Sequence, residues 1–473
     1  MWWLIIPVAI LLFLGLICFR ALNFKPKAEG APPEKVPLSP IDPERVIENF
    51  RAMVALETLD TNPEARAAFR ALLPGRYPLV HEHCAFELVG EGGLLYHWKG
   101  KASDRPTVYL SHYDVVPVET DKWQRGPFSA DREEGEIWGR GTLDTKATLV
   151  AALESAEALL AAGFTPAQDV YFAFGGNEET TGKDAEAIVK LLAARGVKPA
   201  LVLDEGGAVV ENVFPGVKGQ VALIGTGEKG LLNVSLSAES KGGHASAPPK
   251  RSLIAALSRA VLRVEKRPFK ARLSPPVLQM FDILGRHSSF AYKLIFANLW
   301  CFGGLFTFLC KVMGGELNAL VRTTVAFTQM QGSDAINVLP PTASIKANLR
   351  LMVGDTPESA AAYLKSCIKD ESVTVTPLGG DPATAFADTA SEGYRRVQDT
   401  IRTMWPEARV SPYLMMARTD SRHFCRISDV VLRFSAMEMS KEDRGRIHAH
   451  DERISEGQLL GAVEFYQRLI LAS

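Results

Sequence analysis

Uninterrupted apolar segments alternate with Ala- and Leu-rich segments in the first half of the chain. The apolar segments are short and contain many β-branched and aromatic residues, as strands buried on both faces do: TVYLSHYDVVPV, DVYFAFGG and ALVLDEGG. The segments between them have the length of helices and end at Gly163 and Gly196. Since strands that are apolar on both faces need helices on both sides of the sheet, this alternation predicts a doubly wound α/β domain with a mostly parallel sheet.

A different pattern begins after Gly227. An alternating strand is followed by a helix, two strands, a further helix and a last strand. The order βαββαβ is that of a ferredoxin-like unit, here with a long insertion at about 268–320. The sequence therefore predicts a main domain in two parts, residues 44–227 and 379–473, and an inserted domain at 228–378.

The first residues differ in composition from the rest of the chain. Met1–Phe19 has no charged side chain and is long enough to cross a bilayer as a helix. It lacks the basic start and the small-residue cleavage site of a signal peptide, so residues 1–20 are predicted to be an uncleaved, single-pass transmembrane anchor. Residues 21–43 are rich in proline and are predicted to be an extended tether. Basic residues after the apolar segment favour a cytoplasmic body, but three charges leave the side of the membrane open: Arg20, Lys25 and Lys27.

A second apolar segment, Leu294–Cys310, approaches the length of a membrane span. It contains the polar Asn298 and the pair Gly303–Gly304. These residues favour two short helices that pack on the body, or dip into the face of the membrane, over a second span.

Composition argues against a protein that binds polyanions by charge. Lys and Arg number 53 against 54 Asp and Glu, which gives a formal net charge of -1. No overall positive field draws nucleic acid to the chain, so we expect no nucleic-acid partner. The six cysteines are widely spaced and form no C-x-x-C motif, which indicates neither a disulfide framework nor a cysteine zinc site.

One histidine and five carboxylates lie at or just beyond the ends of predicted strands: His112, Asp114, Asp144, Glu178, Glu179 and Asp204. In an open α/β sheet, ligands bind at the edge where the carboxyl ends of the strands meet. A single carboxylate there commonly caps a helix, but five in one cleft repel each other unless cations neutralise them. A mixed His, Asp and Glu set suits zinc, with manganese or cobalt as substitutes. Two ions at about 3.5–4 Å need a carboxylate that both can share.

These residues and several longer motifs resemble a known family. The motifs, in chain order, are SHYDVVPV, GRGTLDTK, NEETTG, EKGLLNVSL, GGHASAPP, NVLPPTA, TDSRHF and RIHAHDERIS. They are similar to those of the dizinc metallopeptidase and aminoacylase family, and most similar to its carboxypeptidase S branch, which also contains an N-fatty-acyl-amino-acid hydrolase/synthase. The resemblance extends from about residue 44 to 473. It implies a zinc-dependent metallopeptidase or amidohydrolase with two zinc ions per chain.

The resemblance also implies the metal ligands. Asp144 is expected to bridge both ions. His112 and Asp204 complete one metal site, and Glu179 and His448 complete the other. A competing ligand lies two residues after the last of these: His450.

The same resemblance implies the catalytic residues. Glu178 is expected to be the general base. Asp114 is expected to hydrogen-bond the far ring nitrogen of His112 and to fix its tautomer. His244, in the inserted domain, is expected to stabilise the oxyanion, often across a dimer interface in this family. The inserted domain is therefore expected to act as a lid or a dimerisation domain, and the chain to form a homodimer through it.

Four further residues match family positions that bind the carboxylate end of the substrate: Asn337, Arg350, Thr419 and Ser421. An arginine suits this role because it can pair with a carboxylate through two hydrogen bonds. Two departures from the family pattern put this pocket, rather than the metal ligands, in doubt: Thr145 after the bridging aspartate and Met416–Arg418 before the TDSR motif.

Three functions are compatible with the residues. The favoured one is hydrolysis of an N-acyl or N-fatty-acyl amino acid, a reaction that can also run as synthesis. The second is a carboxypeptidase that acts on short peptides. The third, a membrane-tethered binding protein with an inactive metal site, is disfavoured because neither Glu178 nor any implied ligand is missing.

Overall fold

The computed structural model describes residues 2–27, 30–212, 214 and 216–473. The helices are α1 (Trp2–Asn23), α2 (Pro43–Val54), α3 (Pro63–Arg76), α4 (Pro78–His83), α5 (Lys146–Ala161), α6 (Lys183–Ala194), α7 (Leu253–Lys266), α8 (Pro275–Gly285), α9 (Phe290–Phe296), α10 (Leu299–Met313), α11 (Gly315–Val321), α12 (Pro357–Ile368), α13 (Glu392–Met404), α14 (Ser421–Phe424), α15 (Lys441–Arg446) and α16 (Glu456–Leu471). The strands are β1 (Ala85–Val89), β2 (Gly93–Trp98), β3 (Ala102–His112), β4 (Arg132–Glu133), β5 (Glu136–Trp138), β6 (Gln168–Gly175), β7 (Leu201–Asp204), β8 (Val209–Glu211), β9 (Gln220–Glu228), β10 (Gly230–Glu239), β11 (Gly243–His244), β12 (Thr324–Gln331), β13 (Val338–Leu339), β14 (Thr342–Leu351), β15 (Thr374–Asp381), β16 (Arg409–Met415), β17 (Val431–Arg433), β18 (Glu438–Met439) and β19 (Arg453–Ser455).

The largest sheet has the strand order β1-β2-β6-β3-β7-β17-β9-β8-β18, with β16 paired to β9. Its central strands β6, β3, β7 and β17 are parallel. The pairs β1–β2, β2–β6 and β8–β9 are antiparallel. The predicted α/β class is confirmed, but the sheet is mixed: among the described residues, five of its strand pairs are parallel and four are antiparallel. The reason is that β1–β2 and β8–β9 are consecutive strands with short connections, which favour antiparallel pairing.

Helices cover both faces of this sheet. α5 and α16 pack together on one face, and α6 and α14 pack on the other. α5 is buried from Lys146 to Leu159, as expected for a helix so rich in Ala and Leu.

A second sheet is antiparallel and has the strand order β12-β14-β10-β15. α7 and α12 pack against it. Buried and half-buried residues alternate along β10, as they do in a sheet covered on one face. Apart from the short β11 and β13 and the helices α8 to α11, the elements follow one another as β10, α7, β12, β14, α12 and β15. The domain limits at residues 228 and 378, and the role of a lid or dimerisation domain, stay predictions.

Helices α8 to α11 form the insertion between α7 and β12. They share a hydrophobic core with β16 and with Phe24, which directly follows α1. Within the described residues, one helix is long and apolar enough to cross a membrane: its segment Ile5–Asn23 is 11% buried. The pair α9 and α10 passes the same test only when taken together, and is bent by 107°. The transmembrane anchor stays a prediction at this point.

Candidate metal centre

Two groups of possible ligands meet at the carboxylate of Asp144. His112 Nε2 lies 3.0 Å from Asp144 Oδ1, and His448 Nε2 lies 3.0 Å from Asp144 Oδ2. Each histidine also faces a glutamate: Glu205 Oε1 is 3.1 Å from the His112 nitrogen, and Glu179 Oε1 is 3.1 Å from the His448 nitrogen. The two groups are therefore joined by the one aspartate whose oxygens face both.

Several separate segments supply these side chains. His112 ends β3, Glu179 follows β6 and Glu205 directly follows β7, so three ligands come from adjacent strands of the large sheet. Asp144 precedes α5, and His448 lies between α15 and β19. The carboxyl ends of the central parallel strands thus form the floor of the centre, as expected for an open α/β sheet.

The two groups fit a pair of divalent cations. In each group, one imidazole nitrogen and two carboxylate oxygens lie within 4.8 Å of one another. This donor set is one that zinc accepts, and a shared carboxylate is the usual link between two catalytic ions.

The structure brings Glu205, and not Asp204, to this group. Asp204 is buried and its carboxylate accepts hydrogen bonds from the backbone N–H groups of Ser421 and Glu205, both at 2.9 Å. These two backbone donors occupy both oxygens of the Asp204 carboxylate, one donor on each. The carboxylate of the next residue, Glu205, instead lies 3.1 Å from His112 Nε2. Glu205 therefore replaces Asp204 in our ligand assignment.

Asp114 contacts both His112 and the loop that carries the two glutamates. Its backbone oxygen lies 3.0 Å from His112 Nδ1, and its carboxylate Oδ1 lies 3.4 Å from the same nitrogen. Because these acceptors keep a proton on Nδ1, Nε2 is the nitrogen that can bind a metal ion once its own proton is displaced. The same carboxylate accepts the backbone N–H groups of Glu178 and Glu179, both at 3.1 Å.

Glu452 supports the bridging aspartate, a role that the sequence analysis missed. One of its oxygens accepts the N–H groups of Leu143 at 2.7 Å and Asp144 at 3.2 Å. The other accepts from Gly141 at 3.2 Å and from the Arg140 guanidinium at 2.6 Å. Glu452 is fully buried, so it fixes the loop before α5 from inside the protein. A signal was present in the sequence, since an arginine in the GRGTLD motif needs an acidic partner if it is buried.

The carboxylates give the centre a strong negative potential. Burial lowers the pKa of His112, but the neighbouring carboxylates, above all Glu205, raise it well above its usual value. Hydrogen bonds to Asp144 and Glu179 raise the pKa of His448 to about 10. Burial and the charge of Asp144 raise the pKa of Glu205 to about 8. The centre thus holds protons at neutral pH that a divalent cation has to displace.

Glu178 lies beside the ligands without belonging to either group. Its side chain is largely enclosed, and this burial raises the pKa of the carboxyl well above its usual value, while the charge of His112 lowers it. A carboxyl group whose pKa is raised in this way is suited to move protons during catalysis.

The remaining predicted residues lie outside the two groups. His450 is half-buried and is not among the grouped ligands of the described chain. His244 and Asn337 are exposed on the paired segments around β11 and β13, where the His244 ring contacts Ser246 Oγ at 2.8 Å and the Asn337 carbonyl accepts from Ala245 at 3.0 Å. Arg350 is half-buried in β14.

Thr419 and Ser421 are buried behind the centre. Their hydroxyls contact each other at 2.6 Å, and the backbone N–H of Thr419 donates to Glu228 at 2.8 Å. The backbone of Ser421 holds Asp204, as described above. In this structure the two residues support the centre, and the substrate role that the sequence predicted for them stays a prediction.

This fold and this pair of linked ligand groups define a class of metal-dependent hydrolases. The model of the peptidase family M20/M25/M40 matches residues 108–472. The chain belongs to this family, so the predicted membership and the predicted class of metallopeptidase or amidohydrolase enzymes are confirmed.

Particular relatives can be named. The "Probable carboxypeptidase S-like 2" of Dictyostelium discoideum is 35% identical over 411 residues, which cover 85% of this chain and 78% of the relative. The "N-fatty-acyl-amino acid synthase/hydrolase PM20D1" of Xenopus tropicalis is 35% identical over 437 residues, which cover 90% of this chain and 85% of the relative. These are the two kinds of relative that the sequence motifs predicted.

Solved structures share the fold. The M20 family metallo-carboxypeptidase Sso-CP2 from Sulfolobus solfataricus superposes with a TM-score of 0.68 at 18% identity, covering 90% of this chain and 98% of that one. Human carnosine dipeptidase 1 gives a TM-score of 0.63 at 13% identity, covering 91% of this chain and 96% of that one.

Proposed function

We propose that this chain is a dizinc amidohydrolase that cleaves the bond between an acyl group and a terminal amino acid, with N-fatty-acyl amino acids as its preferred substrates. The observation that carries the chemistry is the Asp144 carboxylate, one oxygen of which faces His112 and the other His448. The similarity to N-fatty-acyl-amino acid synthase/hydrolases supports the substrate class.

The metal ligands in this proposal form two sets that share Asp144. His112 and Glu205 hold one ion, and Glu179 and His448 hold the other. When bound, the two ions supply Lewis acidity toward the amide carbonyl and increase the acidity of a water molecule.

The residues of the chain transfer the protons and hold the ligands and the substrate in position. Glu178 removes a proton from the attacking water and delivers it to the leaving amine. Asp114 holds the two glutamates and His112 in position through the four contacts described above. Arg350 binds the carboxylate of the amino-acid end, for which its guanidinium is suited.

A carboxypeptidase for short peptides is the second candidate, because a relative at 35% identity bears that description. The two substrates differ in the acyl side and share the terminal amino acid. The exposed apolar surface of α1 and α10 favours a long acyl chain over a peptide.

A substrate comparison tests the proposal. We expect zinc-loaded protein to hydrolyse N-oleoyl amino acids with a higher kcat/KM than Gly-X dipeptides with the same terminal residue. The readout is release of the free amino acid, with protein treated with a chelator as the control. Faster cleavage of the dipeptides assigns the chain to the carboxypeptidases, and no cleavage of either substrate contradicts the proposed chemistry.

We also propose that His244 acts on the substrate of a partner chain. It is exposed in β11 and stands outside both ligand groups, so it reaches the reacting carbonyl either by rotation of its own domain or from a second subunit. The homodimer that this needs, formed through the inserted domain, belongs to the same proposal.

Mixed dimers distinguish the two routes for His244. We expect His244→Ala and Glu178→Gln chains, each nearly inactive alone, to recover activity when co-expressed, because one hybrid site then contains both intact residues. Amide hydrolysis is measured after mixed dimers have been isolated with two affinity tags. The homodimers of each variant are the controls. If isolated mixed dimers stay inactive, His244 acts within its own chain.

A further inference from the structure

An exposed apolar surface surrounds the bend between α9 and α10. From Leu294 to Cys310 the chain has no charged side chain. α10 exposes large apolar side chains: Trp300, Leu305, Phe308, Leu309, Val312 and Met313. A surface of this kind on a single helix marks a site that another apolar phase or molecule covers.

This surface is continuous with that of α1. The ring of Trp300 contacts that of Phe13 edge to face, with their centroids 6.2 Å apart. Ile17 and Ala21 are buried, whereas most other side chains of the Ile5–Asn23 segment are exposed. α1 therefore lies against the insertion along one side and presents the rest of its apolar surface outward.

Hydrogen bonds fix the position of the bend between α9 and α10 along the length of α1. Asn298 Nδ2 donates to the Ile17 carbonyl at 3.2 Å, and Arg20 Nε donates to Asn298 Oδ1 at 3.1 Å. At a helical rise of about 1.5 Å per residue, Phe13 lies roughly 10 Å along α1 from Arg20. The hydrocarbon layer of one leaflet is about 15 Å thick. If α1 crosses a bilayer with Arg20 at the boundary, Trp300 has to lie within that layer, because its contact with Phe13 allows no other position.

Backbone carbonyls at the bend are hydrogen-bonded within the protein, as an environment without water requires. The break between α9 and α10 leaves carbonyl groups without helical partners. Arg20 donates to the Ala297 carbonyl through Nη2 at 3.0 Å, and Asn298 donates to that of Leu294 at 2.9 Å. Asn298 itself is fully buried. Lipid requires such internal pairing, while water does not.

Charged groups lie where this surface ends. Lys27 pairs with Asp282 at 2.9 Å, and the guanidinium of Arg286 lies over the ring of Phe24, 4.4 Å from its centroid. Both lie beyond the end of α1, at the level where lipid headgroups follow the hydrocarbon layer. Basic and aromatic side chains are typical of that level.

From these observations we propose that α9 and α10 form a second membrane contact, which enters one leaflet beside α1 and returns to the body at the buried Cys310. The occupant of the surface is the hydrocarbon of the lipid, not a protein. The catalytic body is thereby held at a fixed distance from the membrane, and does not hang from a flexible tether. The inference rests on the proposed anchoring by α1 and is independent of the proposed hydrolysis.

Fluorescence quenching measures the depth of Trp300. The full-length protein is placed in phosphatidylcholine vesicles whose acyl chains carry bromine, and the signal of Trp300 is obtained as the difference from the Trp300→Phe variant. We expect brominated lipid to quench this difference signal and aqueous iodide to leave it nearly unchanged. Quenching by iodide alone overturns the proposal, because α10 is then in water. Protection from both quenchers also overturns it, because a protein surface, such as a second copy of the chain, then covers α10.

Charged variants test which residues make the contact. Leu305→Asp combined with Phe308→Asp, at side chains that are 55% and 58% exposed, is expected to reduce quenching of Trp300 by brominated lipid several-fold. Leu88→Asp combined with Leu378→Asp, at side chains 54% and 51% exposed but outside this surface, is the matched control and is expected to change nothing. Equal quenching in the two double variants contradicts the assignment of the surface. Vesicle flotation shows separately whether α1 alone keeps each variant bound to the membrane. None of these measurements depends on enzymatic activity.

Discussion

The Glu178→Gln variant is expected to bind both metal ions and to lose amide hydrolysis by a factor of roughly 10² to 10⁴, the usual contribution of a general base. The substitution keeps the size of the side chain and removes only its ability to accept a proton. Glu178 stands outside both ligand groups, so the number of bound ions stays the same. The backbone N–H that donates to Asp114 is also unchanged, and the loop before Glu179 stays in position.

Elemental analysis and steady-state kinetics on the same preparation check this expectation. We expect the loss in kcat with little change in KM, because the proton is transferred in the transition state and not in the bound ground state. Glu211→Gln, at an exposed glutamate of β8 in the same sheet, is the matched control and keeps full activity. An active Glu178→Gln enzyme removes this residue from the mechanism. Loss of metal in that variant instead makes Glu178 a ligand.

The Asp144→Ala variant is expected to lose both metal ions, and with them all measurable hydrolysis. Each of its carboxylate oxygens faces a different histidine, so the substitution removes one ligand from each group. It also leaves the remaining glutamates without the cations that balance their charge. Asp144→Asn, which keeps the shape but not the charge, is the second variant and is expected to bind the ions much more weakly.

Neighbouring substitutions give this prediction its controls. Glu205→Ala removes a ligand from one group only, and is expected to leave about one ion per chain. Asp204→Ala removes no ligand from either group and is expected to keep two. Metal content is measured after dialysis against metal-free buffer. Two tightly held ions in Asp144→Ala contradict the bridging role, and selective loss from Asp204→Ala, but not Glu205→Ala, restores Asp204 as the ligand.

The contrast between Asp204 and Glu205 shows which features of this site can be predicted from the sequence and which cannot. The apolar segment ALVL predicts a strand and an acidic pair at its end, and both are found. Which of the two carboxylates faces the centre depends on the hydrogen bonds that hold Asp204. That information comes from a residue more than 200 positions away, since Ser421 is the group that holds Asp204. Family resemblance predicts the order of the ligands along the chain, but it does not determine the register at the end of a short strand.

The same limit applies to the fold. Periodicity predicts the central parallel strands and the order of elements in the second sheet, because these depend on local patterns. The antiparallel edges of the large sheet depend on which strands pair, and pairing is decided by tertiary packing. Glu452 was missed for a related reason: its partners, Arg140 and the loop to Asp144, lie about 310 residues earlier in the chain and meet it only after folding.

The chain connections between the two sheets restrict how the sheets can move relative to each other. β9 ends at Glu228 and β10 begins at Gly230, so Lys229 alone separates them. The returning chain lies alongside, because the Glu228 carbonyl accepts the N–H of Thr384 at 3.1 Å. The chain thus passes between the two sheets twice, at neighbouring positions. Two such connections allow the second sheet to rotate about the axis that joins them and resist its rotation about other axes.

Lys229 lies at this axis and contacts the insertion formed by helices α8 to α11. Its buried ammonium donates to the carbonyls of Ala319 and Arg322, at 3.0 and 2.8 Å, at the end of α11. Rotation of the second sheet therefore has to displace α11 or break these hydrogen bonds. Since only Gly314 lies between α10 and α11, the proposed contact of α10 with the membrane would also restrain any rotation of the second sheet.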